Sequence, residues 1–311
     1  MNWQLISASC IGSHHRDELT PHNGQDAAYF NFDPDSGTGF AVVADGCGSS
    51  PHSEVGAHLG VRLLADIWNR QGRKTPGYKS FLGHVFPRSQ DFQATLIDPL
   101  LQELRCALSP LGDASTENQL KDAVATYGFF TLNGVVFNRE AMVFFCIGDG
   151  VCIVNGQATV IEPPKRDDPR LDNAPQYIGY SVYDPGIPVD LRYYRVWPTK
   201  DVESFLVASD GFGPLLTATD TPLPGQQRTV GSVDQLWTED KYFVAPREGE
   251  QPVRAQLWLN LAAQTKKKLK RGPNGPLADI ETFPGLLNDD TTFIVGRRQL
   301  QEPANTESEV S

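Results

Sequence analysis

The chain has no Cys-x-x-Cys pair, no His-x-x-Glu-His grouping and no run of 18 uninterrupted apolar residues. The first two absences remove the usual thiolate and imidazole frames for zinc, and the third removes a membrane-spanning helix. Its five cysteines, Cys10, Cys47, Cys106, Cys146 and Cys152, are odd in number and mostly sit inside apolar runs. There a thiol serves as a small hydrophobe, which is the usage of a reducing compartment. The opening MNWQLISASCIG lacks the basic and apolar regions of an export signal, so a cytoplasmic location is expected. Positive charge is also short, 27 Lys+Arg against 38 Asp+Glu for a net −11, which disfavours nucleic acid and anionic membrane surfaces as partners. No internal repeat and no break in composition appear, so one domain is expected over residues 1–298, followed by a disordered acidic tail at 299–311.

What is present is periodic, and 40% hydrophobic residues supply a sizeable core. Trp3–Ile11, Ala27–Phe32 and Gly39–Ala44 read as strands. After Ser50 the period changes, and Val55, Leu59, Leu63 and Ile67 predict the apolar face of a helix. Leu96, Leu100 and Leu104 predict a second helix over Phe92–Leu108. TYGFFTLNG, AMVFFCIGDG and VCIVNGQATVIEP read as a meander, and residues 163–188 as a long, flap-like surface loop. RYYRVWP and SFLVASDG follow as strands, and 217–250 reads as an insertion beside the core. A helix is expected from Val253 to Lys270, ending on KKKLKR, where cations suit a helix C-terminus before Gly272-Pro273. DTTFIVGRR is the last strand.

Three apolar runs, VVADG at 42–46, FFCIGDG at 144–150 and FLVASDG at 205–211, each end on Asp-Gly. One such ending is an ordinary turn. Three, together with Gln25-Asp26 at a strand start and Asn288-Asp289-Asp290 before the last strand, place several carboxylates where strand ends can converge. Clustered ionised carboxylates repel, so something positive must hold them. Hard oxygen ligands suit Mg2+ or Mn2+, and two such ions sharing a water form a device for displacement at phosphorus, which favours a phosphate ester as substrate.

GQDAAYF, FAVVADGCGSSPHSEVGAHLGVRLL, FFCIGDG, FLVASDGF and NDDTTFIVGRR, in that order, resemble the metal-dependent protein phosphatases, the type 2C serine/threonine family. The resemblance implies an α+β fold, a four-layer α-β-β-α sandwich of two antiparallel sheets flanked by helices. It implies two Mn2+ or Mg2+ ions, with Asp45 bridging them, the Gly46 carbonyl ligating one, and Asp210 and Asp289 as further ligands. Asp26 matches an acidic residue that reaches a metal through water, and Asp149 falls where some bacterial relatives bind a third, weaker ion. Asp290 replaces Asp289 in this set if the register shifts by one. The activity implied is hydrolysis of phosphoserine or phosphothreonine in proteins by a water bridging the ions.

The SHH…QDA opening, the GDG triplet, DNAPQYIGY and DQLWTEDKYF resemble more narrowly a bacterial branch. That branch is associated with kinase-like and von Willebrand-type partners in the tellurium-resistance phosphorylation triad. Two departures stand out. TPHNGQD has no arginine to clamp phosphate, leaving His22, His15 or Arg16, and Cys47 stands where many eukaryotic relatives carry a histidine acid, leaving His52 or a metal-bound water to supply the proton. Cys47 itself, without a matched base, reads as a packed side chain. The competing expectation is a non-catalytic module with this fold that binds a phosphoprotein or a kinase; retention of Asp45, Asp210 and Asp289 disfavours it.

Overall fold

In the computed structural model, which describes residues 2–15, 24–74, 88–111, 117–164, 175–247, 250–272 and 275–299, two five-stranded sheets lie face to face. One has the order β2(Ala27–Asp33), β3(Thr38–Gly46), β4(Phe130–Phe137), β5(Ala141–Ile147), β8(Leu191–Pro198). The other runs β1(Asn2–Cys10), β12(Thr291–Gln299), β9(Ser204–Ala208), β6(Gly150–Val154), β7(Gln157–Ile161). All neighbouring strands are antiparallel.

The period-two alternation of each central strand sorts its side chains into two cores. In β3, Phe40, Val42 and Ala44 face the helices, while Ala41 and Val43 face the opposite sheet. β5 divides likewise, Val143, Phe145 and Ile147 outward and Met142, Phe144 and Cys146 inward. Because both faces are covered, these strands read as continuous apolar runs. Trp3, Phe137, Phe144 and Phe205 fill the layer between the sheets. The outer layers are α1(Ser53–Lys74), α2(Ser89–Phe92), a π-turn at Gln93–Ile97, α3(Asp98–Leu108), α4(Glu117–Tyr127) and α5(Ile178–Tyr183) on one side. On the other side lie α6(Gln235–Thr238) and α7(Arg254–Ala263). The architecture is therefore the expected α+β, four-layer sandwich.

Several expectations need correction. The buried face of α1 is Ala57, Val61, Leu64, Ala65, Ile67 and Trp68; of the expected row, Ile67 is buried and Leu59 and Leu63 are partly buried against the core, while Val55 is exposed. A strict four-residue row drifts about 40° per step around a helix, so it cannot stay on one face. The meander is split, since β4 and β5 belong to one sheet and β6 and β7 to the other. Residues 178–183 form a helix with Ile178 and Val182 buried against the core, rather than part of a surface loop. The 217–250 segment contributes Val230, Leu236 and Tyr242 to the core under the second sheet, so it does not lie beside that core.

KKKLKR is a strand, not the end of a helix: α7 stops at Ala263, and β10(Lys266–Gly272) pairs with β11(Gly275–Phe283). Lys268 is in register with Glu281 and Lys270 with Asp279, and the sequence Asn-Gly at 274–275 is a hairpin signal. Gln299 pairs with Asn2 as the end of β12, and the rest of the expected tail, 300–311, lies outside the described residues. Among the described residues no helix is long and apolar enough to cross a membrane.

Candidate functional site

Strand register brings the acidic residues together before any side chain is considered. Ala27 pairs with Ala44, which sets Asp26 opposite Asp45 at one end of the first sheet. In the second sheet Ala208 pairs with both Val151 and Phe293, so the chain just beyond it carries Asp210 beside the segments bearing Asp149 and Asp289. Asp45 shares the inward parity of Ala41 and Val43 and therefore points into the gap between the sheets. It lies within hydrogen-bonding reach of Asp26 on one side and Asp210 on the other.

Crowding of these groups shows in their protonation. Burial, then the charges of Asp26, Asp210 and Asp149, pushes the Asp45 carboxyl well above the ordinary carboxylate range. Asp26 is raised to about 7 by burial, opposed by a hydrogen bond from Ser209 and reinforced by Asp290. Asp149 is also raised to about 7, by burial and then by the charges of Asp210 and Asp289. Asp210 opens to solvent at the strand end but is raised too, by desolvation, opposed by its hydrogen bond with Asp45 and reinforced by the charge of Asp289.

The acidic pair before β12 divides its labour. Asp290 is buried, and its two oxygens accept the backbone N–H groups of Gly12 at 2.8 Å and Gln25 at 2.7 Å. Asp289 keeps 60% of its side chain exposed. Two glycines are required by close approach: a Cβ at Gly46 would meet the Gln25 carbonyl and the Ser53 hydroxyl at 2.7 Å, and one at Gly211 would meet the Asp290 carbonyl at 2.0 Å.

The histidines separate. His15 Nδ1 lies 3.0 Å from Asp290 Oδ1 and 3.9 Å from Asp289 Oδ1. These three residues form a group whose ligand atoms lie within 4.8 Å of one another. His52 stacks on Tyr127 with Nδ1 at 3.4 Å from Glu54, at the start of α1, and no contact among the described residues joins it to the carboxylates. His22 and Arg16 lie outside the described residues. Cys47 is buried, with its thiol 3.1 Å from the Ser49 hydroxyl, as expected of a packed side chain.

Three residues at the site had no assigned role in the sequence reading. The Gln25 amide donates to the Cys47 carbonyl and to the Ser53 hydroxyl, holding the chain after Asp45. Ser209 donates to Asp26 Oδ2 at 2.7 Å. Tyr177, beside α5, has its hydroxyl near the Cys47 thiol, and burial raises that hydroxyl well above the ordinary tyrosine range. Ser209 and Gln25 sit inside motifs already singled out, next to Asp210 and Asp26, and that adjacency was the available signal.

The donor set fits hard divalent cations. Asp26 Oδ1 and Asp149 Oδ1 are buried with no hydrogen-bond partner among the described residues. Oxygens in that state carry a desolvation cost that a cation would offset. A family model described as Protein phosphatase 2C matches residues 11–257. The chain belongs to that family. No curated protein matches it. Among solved structures, the serine/threonine phosphatase Stp1 from Staphylococcus aureus is 11% identical, with 96% of each chain covered and a TM-score of 0.49. PppA of Pseudomonas aeruginosa, described as a key regulatory component of T6SS, is 16% identical over 96% of this chain and 98% of its own, with a TM-score of 0.49. The catalytic domain of the serine threonine protein phosphatase PstP, in complex with 2 manganese ions, is 15% identical over 95% and 97%, with a TM-score of 0.41.

Proposed function

We propose that this type 2C family member is a metal-dependent phosphatase acting on phosphoserine or phosphothreonine in proteins. The observation that carries the reading is the meeting of Asp45 with Asp26 and Asp210 across the gap between two sheets, beside two buried carboxylate oxygens that have no partner among the described residues. Asp45, Asp210, Asp289 and the Gly46 carbonyl are the groups that would hold two Mn2+ or Mg2+ ions, with Asp26 reaching one through water and Asp149 the side chain for a third. Bound there, the ions would neutralise the carboxylates, acidify a water and hold a phosphoryl oxygen. The chain's own part is preorganisation. Gln25 and Ser53 fix the backbone after Asp45, Ser209 fixes Asp26, and Asp290 fixes the approach of Gly12 and Gln25 to the last strand.

Within this reading, residues 1–298 act as one domain in the cytoplasm. His15 or His22 contacts the phosphate, and His52 or a metal-bound water supplies the proton to the leaving group. The DNAPQYIGY and DQLWTEDKYF segments support the narrower bacterial branch, and with it a cognate kinase and a von Willebrand-type protein as partners. The test is hydrolysis of p-nitrophenyl phosphate and of a phosphoserine peptide with Mn2+ or Mg2+. Activity should vanish with chelator and in Asp45→Ala; turnover that survives both would remove the metal-dependent reading, whereas no turnover of either substrate with Mn2+ would leave the non-catalytic binding module in its place.

A further inference from the structure

Tyr177 sits where two parts of the carboxylate site meet. Its backbone is extended (φ −66°, ψ 146°) immediately before α5, and its half-buried ring stacks on Phe129 at 5.9 Å between centroids and 23° between planes. The Phe129 carbonyl in turn accepts the Cys47 N–H at 2.9 Å, two residues beyond Asp45. On the other side, a Cβ at Gly148 would lie 3.5 Å from Pro175, so residues 175–177 also border the turn that carries Asp149. The Tyr177 side chain therefore borders both the strand end bearing Asp45 and the turn bearing Asp149, with the Cys47 thiol near its hydroxyl.

A thiol neighbour holds a hydroxyl only weakly. A thiol is a poor donor and a poor acceptor, whereas a phenol in a buried setting ordinarily takes a strong one. The other neutral donors around the carboxylates are engaged: the Gln25 amide with Cys47, Ser50 and Ser53, and the Ser209 hydroxyl with Asp26. Phosphomonoester hydrolysis adds water to phosphorus and breaks the bond to the ester oxygen, releasing phosphate and leaving that oxygen with the bonding pair until it gains a proton from water. Carboxylates cannot stabilise the charge on that oxygen, but an O–H aimed at it can. A tyrosine, ordinarily titrating near pH 10, keeps its proton at neutral pH, so donation needs no change of ionisation.

We propose that the Tyr177 hydroxyl donates a hydrogen bond to the departing ester oxygen of the substrate, making Tyr177 a catalytic residue. This rests on the phosphatase reading above and adds to it the group that faces the leaving alcohol. Tyr177→Phe, which keeps the ring on Phe129, tests it with two substrates. A phosphoserine peptide leaves as a basic alkoxide and depends on the donor, so its kcat should fall about 100-fold. p-Nitrophenyl phosphate leaves as a weakly basic phenolate and should lose no more than about threefold. The rise in melting temperature on adding Mn2+ should match that of the unaltered protein, showing that fold and ion binding persist. Equal losses on both substrates, or none on either, overturn the proposal, as does a lost response to Mn2+. If the unaltered protein with Mn2+ turns over neither substrate, the phosphatase reading itself fails, which is a separate result.

Discussion

Ser209 donates its hydroxyl to Asp26 Oδ2 at 2.7 Å, joining residues 183 apart in sequence and lying on different sheets. The same hydroxyl accepts the Thr292 N–H at 2.9 Å, and the Ser209 N–H donates to the Thr292 carbonyl at 3.0 Å. Asp26 is thus oriented by the strand pair that ends at Asp210 and begins after Asp290.

Ser209→Ala should weaken Mn2+ binding and activity at limiting Mn2+ by about 10–100-fold, the usual cost of losing a group that orients a metal ligand. Much of the activity should return at saturating ion. Calorimetric titration with Mn2+ checks this; unchanged affinity would mean that Asp26 needs no orientation from the second sheet.

Asp289 and Asp290 should respond in opposite ways to truncation. Asp290→Ala orphans two buried backbone N–H groups and should cost about 2–4 kcal/mol of stability, read by urea denaturation in chelator. Asp289→Ala removes an exposed carboxylate that other acids repel, so metal-free stability should hold or rise while metal-dependent activity is lost. Reversed phenotypes would favour the alternative register, with Asp290 as the ligand.

Much of this site was legible because carboxylate placement follows from strand pattern: Asp45, Asp149 and Asp210 each close a run whose two faces are buried, and buried strands are rigid supports. The sandwich was legible for the same reason, through the continuous apolar text of β3, β5 and β9. Local text failed where two structures satisfy the same chemistry. The cations of KKKLKR suit a helix end as well as a strand in register with Asp279 and Glu281, and only the Asn-Gly hairpin signal in the sequence distinguishes them. α4 was missed because Leu120, Ala123 and Val124 give a short apolar stripe beside the stronger strand signal that follows. Tyr177 was quoted without a role because its contact with Cys47 spans 130 residues and leaves no local periodicity.

The raised carboxyls fix the direction of a pH effect. Asp26 and Asp149 hold their protons to about 7 in the folded chain, against roughly 3.9 when unfolded. The folded state therefore binds protons more tightly. The resulting stability is full below the unfolded value and is lost as pH rises through about 7. Divalent cations replace those protons, so the increase in melting temperature caused by Mn2+ should be small near pH 5 and several degrees larger near pH 8. Melting scans in chelator and in Mn2+ across that range check it, and a Mn2+ response independent of pH would contradict proton displacement at these carboxyls.

Asn133 should govern the spacing across which the acids meet. It is buried on the inward face of β4, next to β3, and its Nδ2 donates to the Val151 carbonyl at 2.7 Å and the Ala208 carbonyl at 2.9 Å, both in the opposite sheet. Those carbonyls lie two residues from Asp149 and Asp210, while Asp45 is carried by the strand beside Asn133. Asn133→Leu keeps similar volume but leaves both carbonyls without this donor, at a cost of about 1–3 kcal/mol. A wider gap would also separate Asp45 from Asp210, so the Mn2+ concentration giving half-maximal activity should rise about 10-fold. Loss of stability with an unchanged Mn2+ requirement would show that the amide holds the sheets together without setting the distance between their acids.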